Sequence, residues 1–255
     1  MRNLNHKKGL IIGIANEDSI AYGCAKSLRE YGCTQIIATY LNDKAYSHVK
    51  NACEKLDITD LVEFNFSDEA SVAKLFEVVS QKFGEIDFVI HAMAFADKES
   101  LHGRVVDCKW DGFASSLQIS SYSLIAVCRH AEKLMPHGGS ILTMSYIGAT
   151  RVIPHYGIMG PIKACLESTV KYLANELAPQ GIRVFAISPG TIMTRASSGI
   201  SGFNEMLENA ISHSPMKRLV TQEEVGGLSA FLISDLASGM TGQTIYVDAG
   251  YSLVE

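Results

Sequence analysis

Two tyrosines and a lysine lie close together in the middle of the chain, in the segment SYIGATRVIPHYGIMGPIK at residues 145–163. A tyrosine hydroxyl can donate a hydrogen bond to an oxygen that gains negative charge, and a lysine can supply a positive charge nearby. Tyr156 and Lys163 are seven residues apart, nearly two helical turns, so this spacing predicts that they share one helix face about 10 Å apart along the axis. With Tyr146 they form a candidate catalytic set; the alternatives are aromatic packing at a helix entry and a structural ion pair of the lysine.

The overall composition is that of a globular protein with an acidic balance. The chain has 255 residues, of which 47% are hydrophobic and 19% charged, and its net charge is −5. A charge of this sign argues against binding to nucleic acid, which needs a basic surface, and against an anionic membrane surface.

The cysteines, the histidines and the N-terminus carry no signal for metal binding or export. None of the six cysteines forms a CxxC pair, and the eight histidines show no HxxxH or HExxH spacing. Reduced thiols of this kind are typical of a cytoplasmic protein, and no metal site is expected. No apolar run follows the charged start MRNLNHKK, and no stretch reaches the roughly 18 apolar residues of a membrane span, so neither a signal peptide nor a membrane segment is expected.

Short apolar runs alternate with longer amphipathic segments along the whole chain. The runs are apolar throughout, which is typical of parallel strands buried on both faces. The pattern predicts an α/β fold, a single doubly wound domain over residues 1–255 with a seven-stranded parallel sheet and helices on both faces. The predicted strands are 9–14, 35–40, 61–66, 86–92, 140–145, 181–188 and 244–250, and the predicted helices are 20–31, 44–55, 69–84, 111–135, 156–178, 203–213 and 222–234. The irregular segment 189–215 follows the sixth strand at the ligand-binding end of such sheets and is a candidate substrate lid.

The loop after the first strand, GIANEDSIAYG at residues 13–23, could hold a pyrophosphate. A glycine at the strand end lets the backbone approach the phosphates, and the start of the next helix offers free N–H groups. Polar or small residues also end later strands: Asn65 could meet an adenine edge, and residues 92–94 could run along a ribose. A plain strand–helix turn remains the alternative. After the second strand an acid, Asp43, is followed directly by a base, Lys44, so this pair alone leaves NADH and NADPH open; the absence of an arginine favours NADH.

These features together resemble the short-chain dehydrogenase/reductase superfamily, a group with a Rossmann-type fold. Its commoner members have Tyr-x3-Lys, whereas Met159 stands four residues before Lys163 here. Tyr156, Lys163 and the earlier Tyr146 instead resemble the divergent branch, the NADH-dependent enoyl-acyl-carrier-protein reductases of bacterial fatty-acid synthesis. The resemblance covers nearly the whole chain, including QISSYS at 118–123, the segment 196–200 and VDAGYS at 247–252. It implies a homotetramer, bound NAD(H) and a trans-2-enoyl thioester carried by acyl carrier protein.

The resemblance also implies roles for individual residues. Tyr156 would hydrogen-bond the enolate oxygen, Lys163 would bind the nicotinamide ribose, and Tyr146 would close the acyl pocket. The expected cofactor-binding residues are Gly13, Ile14, Ser19, Ile20, Leu41, Asn65, Phe66, Ala92, Met93, Ala94, Met144, Lys163, Gly190, Ile192 and Thr194. The expected substrate-binding residues are Phe95, Tyr146, Tyr156, Met159, Ala196, Ile200, Phe203 and Met206.

The shifted tyrosine has a physical interpretation. A ketone reductase delivers hydride to the carbonyl carbon, whereas an enoyl reductase delivers it to Cβ, so that charge develops on the more distant thioester oxygen. If Tyr156 and Met159 lie on one helix, the three-residue shift moves the proton donor by about 4.5 Å along the axis. The spacing therefore favours reduction of a carbon–carbon double bond.

Four positions differ from the usual pattern of this branch. Ala94 stands where glycine is usual, Asn65 where an acid is usual, and PGTI at 189–192 where AGPI is usual. The lid segment SGFNEMLE at 201–208 lacks the basic residues that would suit an acidic carrier, which leaves coenzyme A open as the carrier. A carbonyl reductase of the same superfamily, favoured by PGTI, and a nucleotide-binding subunit without catalysis are the competing functions.

Overall fold

A seven-stranded parallel sheet forms the centre of the protein. The computed structural model describes residues 3–66, 68–194 and 202–254. The strands, in the order β3-β2-β1-β4-β5-β6-β7, all pair in parallel. Their bounds are β1 Lys8–Ile12, β2 Gln35–Tyr40, β3 Asp60–Glu63, β4 Phe88–His91, β5 Gly139–Met144, β6 Ile182–Pro189 and β7 Thr244–Val247. The order reverses between β1 and β4, which is where doubly wound sheets bind their ligands.

Helices connect the strands and cover both faces of the sheet. They are α1 Ile20–Glu30, α2 Asp43–Glu54, α3 Glu69–Phe83, α4 Lys98–His102, α5 Trp110–Leu117, α6 Ser123–Ala131, α7 Met159–Leu177, α8 Phe203–His213 and α9 Gln222–Ile233. None of the helices within the described residues is long and apolar enough to cross a membrane.

The apolar runs predicted as strands are buried on both sides. Leu10 and Ile11 are adjacent in β1, both are fully buried, and they belong to two different hydrophobic clusters on opposite faces of the sheet. Because successive side chains of a strand point to opposite faces, such a run can be stable only between two helical layers. The doubly wound α/β fold read from the sequence is therefore confirmed.

Every predicted strand is present with bounds within three residues of the prediction, β3 and β7 each ending three residues early, and the helices differ in three places. β2 and α8 have the predicted bounds, whereas α4 was not predicted. The helix predicted over 111–135 is α5 and α6 joined by a π turn, Gln118–Tyr122. The helix predicted to start near Tyr156 begins at Met159 instead.

Candidate active site

The loop after β1 brings the main chains of two strands together. Gly13 has φ +109°, and a Cβ at this position would lie 2.1 Å from the carbonyl oxygen of Ala92, just after β4. Only glycine fits this close approach. Ser19 precedes α1, but its hydroxyl donates to the carbonyl of Asn16 at 2.7 Å and makes no capping hydrogen bond. The start of α1 can therefore offer main-chain N–H groups to an anion.

The residues expected to hold the cofactor lie along one edge of the sheet. Each is the last residue of one of six neighbouring strands or lies in the segment that follows that strand. Ile14, Phe66 and Met144 are buried, whereas Leu41, Asn65 and Ala94 are exposed. Gly190 is fixed after β6 by its N–H, which donates to the carbonyl of Val247 at 2.8 Å. The full set at this edge is Gly13, Ile14, Ser19, Ile20, Leu41, Asn65, Phe66, Ala92, Met93, Ala94, Met144, Gly190, Ile192 and Thr194.

Ala94 needs no glycine conformation. Its φ is negative, because the only non-glycine residues of the described ranges with positive φ are Asp57, His155, Lys217 and Ala249. The side chain is exposed. The extra methyl group therefore causes no backbone strain and meets no crowded core at this position.

The two candidate catalytic tyrosines are in contact. The rings of Tyr146 and Tyr156 have centroids 4.7 Å apart and planes tilted by 56°. A Cβ at Gly148 would lie 2.4 Å from the Tyr156 ring, so this glycine makes room for the pair. The Tyr146 hydroxyl lies 3.1 Å from the Thr191 hydroxyl, just after β6. One aromatic pair thus joins the chain after β5 to the chain after β6.

Tyr156 does not lie on the helix that carries Lys163, so the predicted shared helix face is wrong. His155 and Gly157 have φ +65° and +50°, and these left-handed conformations turn the chain immediately before and after Tyr156. Helix α7 begins only at Met159. The shift of about 4.5 Å along one helix axis is therefore also wrong. Tyr156 reaches the site from a loop, and Lys163 reaches it from the second turn of α7.

Lys163 is buried and directed at the end of β5. Its Nζ donates a hydrogen bond to the carbonyl oxygen of Met144 at 2.7 Å. Burial lowers the pKa of Lys163 to about 8, partly opposed by the charge of Glu167 one turn along the helix. Glu167 itself accepts a hydrogen bond from the Ser145 hydroxyl at 2.6 Å. The lysine therefore supplies a donor beside Met144, one of the expected cofactor residues, and it loses its charge more readily than an exposed lysine.

The Tyr156 hydroxyl is a persistent hydrogen-bond donor. Burial raises its pKa above the usual value, and the nearby Tyr146 and Glu167 raise it further. A phenol in this environment stays protonated across the physiological pH range. It can therefore donate a hydrogen bond to a developing oxyanion without first losing its proton.

Apolar side chains cluster around Tyr156. Met159, Ile158 and Ile162 form a buried cluster with it, against which Leu101 and Phe113 pack, among others. Phe203 and Met206 are buried on α8, whereas Phe95 is 45% exposed. Ala196 and Ile200, both expected to contact substrate, lie outside the described residues.

The comparison with known sequences decides the family. The model of the enoyl-(acyl carrier protein) reductase family matches residues 13–252. The chain belongs to this family. It is 46% identical over 253 residues to the NADH-type enoyl-[acyl-carrier-protein] reductase of Rickettsia typhi, covering 99% of this chain and 97% of that protein. It is 45% identical over 257 residues to the Synechocystis enzyme of the same name, covering 100% of this chain and 99% of that protein.

Solved reductases of this family have the same fold. The Anaplasma phagocytophilum enzyme in complex with NAD matches with a TM-score of 0.94 and 45% identity, covering 100% of this chain and 97% of that one. The Bacillus cereus enzyme with NADP+ and an indole naphthyridinone matches with a TM-score of 0.96 and 41% identity, covering both chains fully. The resemblance read from the sequence is confirmed.

Two polar features of this reductase were not found from the sequence. Thr191 contacts Tyr146, and the only sequence signal was the PGTI segment in which it stands. His91 is fully buried at the end of β4, with its ring nitrogens 2.9 Å from the Thr143 hydroxyl and 2.8 Å from the Ser123 hydroxyl. A lone histidine in an apolar strand gives no spacing signal for such a network. Among the described residues no group of three or more His, Cys, Asp or Glu side chains could hold a metal ion.

We expect His91 to make the fold sensitive to acid. Burial and, to a smaller extent, the charge of Lys163 lower the pKa of His91 from 6.5 to about 3. Between these two values the unfolded chain binds a proton at His91 and the folded protein does not. The contribution of neutral His91 to the free energy of unfolding is therefore fully present above pH 6.5. It is lost as pH falls, at up to ~1.4 kcal/mol per pH unit. In urea unfolding between about pH 6 and pH 4, His91→Gln should show a flatter loss of stability than the wild type. His48→Gln, at an exposed position of α2, is the control and should retain the wild-type slope.

Proposed function

We propose that this protein reduces the carbon–carbon double bond of trans-2-enoyl thioesters on acyl carrier protein with NADH, as a step of fatty-acid elongation. The observation that carries the proposal is the presence of two buried groups, the protonated donor Tyr156 and the amine of Lys163 at the end of β5, with Met159 where ketone reductases have their tyrosine. The relatives from Rickettsia typhi and Synechocystis are named for the same activity.

The residues present fit a dinucleotide. Gly13 has no side chain, so no side-chain atom of this residue stands between its backbone and a ligand beside Ala92. The N–H groups at the start of α1 are not capped by the side chain of Ser19. These groups would receive the pyrophosphate, with Ser19 and Ile20 at the helix start. Leu41, Asn65 and Phe66 would border the adenosine, and residues 92–94 with Met144, Lys163, Gly190, Ile192 and Thr194 would border the nicotinamide half. When bound, the cofactor supplies the hydride.

The tyrosine and the lysine stabilise charge on the substrate. Tyr156 donates a hydrogen bond to the thioester oxygen, which gains negative charge as Cβ is reduced. Lys163 holds a positive charge nearby and donates a hydrogen bond to the nicotinamide ribose. Its ammonium group has three N–H donors, and the hydrogen bond to the carbonyl of Met144 uses one of them. Tyr146, held by Thr191, packs against Tyr156 and orients it.

The second strand end favours NADH. Asn42 caps α2 by accepting a hydrogen bond from the N–H of Ala45, and Asp43 follows it. A carboxylate at this point suits a ribose hydroxyl and repels a 2′-phosphate. NADH is therefore the proposed cofactor, although the related Bacillus cereus structure contains NADP+.

The acyl chain is proposed to lie among apolar side chains next to Tyr156. The buried members are Met159, the first residue of α7, and Phe203 and Met206 of α8. Phe95, in the segment after β4, is exposed. The segment 189–215, of which residues 189–194 and 202–215 are described, is proposed as the substrate lid, and Ala196 and Ile200 are proposed to contact substrate on the family resemblance alone.

The carrier, the assembly and the location complete the proposal. Acyl carrier protein is the proposed carrier because the family and its relatives are named for it. The proposed assembly is a homotetramer. A cytoplasmic location is proposed because all six cysteines are free thiols, which persist in a reducing compartment.

The proposal is tested by following NADH oxidation with two substrates of equal chain length. A trans-2-enoyl thioester should be reduced, and a 3-ketoacyl thioester should give less than about 1% of that rate, because Met159 stands where a ketone reductase has its proton-donating tyrosine. NADPH should support slower turnover than NADH. Preferential reduction of the ketoacyl thioester would contradict the proposal and identify a carbonyl reductase.

A further inference from the structure

A π turn interrupts the long helix beside the site, between α5 and α6. The N–H of Ser123 donates to the carbonyl of Gln118, five residues back, where an α-helix would use the fourth. The carbonyl of Ile119, which that N–H would otherwise have bonded, accepts from the Ser123 hydroxyl at 2.6 Å. Isolated π turns recur at functional sites, so the other contacts of this turn are informative.

The turn is joined to the end of β4 through His91. Because the Ser123 hydroxyl donates its hydrogen bond to the carbonyl of Ile119, Ser123 Oγ accepts a hydrogen bond from His91 Nε2 at 2.8 Å. A neutral imidazole that carries its proton on Nε2 accepts at Nδ1, here from the Thr143 hydroxyl at 2.9 Å. One directional chain of hydrogen bonds therefore links β5, β4 and the π turn.

The same turn also holds Phe95, four residues beyond His91. The hydroxyl of Ser120, which is fully buried, accepts from the N–H of Phe95 at 2.9 Å and donates to the carbonyl of Phe95 at 3.1 Å. A single side chain thus satisfies both main-chain groups of Phe95, as a neighbouring strand would.

The span between these two tethers has few main-chain hydrogen bonds of its own. Ala92 donates to the carbonyl of Ile12, but Met93 and Ala94 make no main-chain hydrogen bond to another described residue. The span starts against Gly13 and ends at Ala96, which packs on the cluster around Tyr156. Ala92 and Met93 pack on the two hydrophobic clusters of the sheet, whereas the later part of the span is held by the hydrogen bonds between Ser120 and Phe95.

We propose that Ser120 is a positioning residue, which fixes the span 92–95 so that hydride donor and acyl group meet in reactive geometry. This inference rests on the proposed function, since it concerns the same hydride transfer. Ser120 acts through the backbone of Phe95 and touches neither cofactor nor substrate.

The test compares Ser120→Ala with Ser121→Ala. Ser121 is the adjacent residue of the same turn and equally buried, but its hydroxyl contacts Cys165 and not the span. We expect Ser120→Ala to lower kcat for a short enoyl thioester by ~10-fold or more, because displacements near 1 Å can cost 10²-fold. The KM for NADH should match that of Ser121→Ala. The melting temperature of Ser120→Ala should be lower, because both main-chain groups of Phe95 lose their partner, but both variants should be folded at the assay temperature. The kinetic isotope effect from NADH deuterated at the transferred position should rise only in Ser120→Ala.

The outcomes separate this inference from the proposed function. Equal kcat and equal isotope effects in the two variants, with an active wild type, would overturn the role of Ser120 alone. A wild type unable to reduce enoyl thioesters would overturn the proposed function and this role with it. Ser120→Cys keeps the shape with a weaker donor and acceptor, should give an intermediate kcat, and decides the question by the same comparison if the alanine variant does not fold.

Discussion

Replacing Lys163 by methionine is expected to lower kcat/KM for enoyl reduction by ~10²–10³-fold, the cost typical of removing one donor to a developing charge. The side chain is buried, and its Nζ is the only charged donor that the described residues place at the carbonyl of Met144. Methionine has a similar length and is apolar, so it fills the space, and Glu167 keeps its hydrogen bond from Ser145. The NADH concentration for half-maximal rate should also rise, because the proposed ribose contact is lost.

A matched control and a pH profile make this prediction specific. Lys171→Met changes an exposed lysine of the same helix and should keep wild-type kinetics. In the wild type, activity should fall as pH rises through about 8, because the charged form of Lys163 is then lost. Normal turnover of Lys163→Met, or a wild-type rate that is flat across this range, would contradict the role given to the lysine.

Replacing Tyr156 by phenylalanine is expected to lower kcat by ~10²-fold with little change in the KM for the enoyl thioester. The ring would remain packed on Tyr146, with centroids 4.7 Å apart, so the variant removes only the hydroxyl. That hydroxyl is buried and stays protonated, and we propose that its hydrogen bond strengthens only as charge develops on the thioester oxygen.

Steady-state kinetics of two variants checks the tyrosine. Tyr172→Phe changes an exposed tyrosine on α7 and should have wild-type kinetics. A Tyr156→Phe variant with unchanged kcat and a raised KM would show that the hydroxyl binds ground state and transition state equally. Its role would then be substrate binding alone.

The sheet could be predicted from the sequence because its strands leave an unambiguous pattern. Runs such as that containing Leu10 and Ile11 are apolar at every position, and only a strand between two helical layers buries both neighbours. The ligand-binding edge then follows from topology alone, because the carboxyl ends of parallel strands meet there. Topology together with the family resemblance therefore allowed the cofactor residues after each strand to be proposed from the sequence.

The approach of Tyr156 could not be predicted, because it depends on backbone conformations that a spacing rule does not see. His155 adopts φ +65° although it is not a glycine, and together with Gly157 it places the tyrosine in a turn before α7. Helical periodicity counts residues and assumes one continuous helix. The residue types in the catalytic set were consistent with the site, whereas the helix geometry used to join them was wrong.

The π turn and the short helix α4 were not predicted from the sequence, each for a physical reason. A single π turn adds one residue to a helix without changing its amphipathic character, so QISSYS at 118–123 contributed to the family resemblance but did not reveal the turn. Helix α4 has five residues, which is too short for a periodic pattern, and it depends on Asp97, whose side chain accepts from the N–H of Ser100. The serines of the π turn make contacts that form only in the folded chain, whereas α4 has a local cap that a periodicity rule does not detect.

The position of hydride in the product tests the central proposal most directly. With NADH deuterated at the transferred position and a trans-2-butenoyl thioester, we expect the saturated thioester with one deuterium at C3, and a solvent proton at C2, as read by NMR and mass spectrometry. Deuterium on the carbonyl carbon, or an unlabelled and unreduced butenoyl thioester after complete incubation with the cofactor, would contradict reduction of the carbon–carbon double bond.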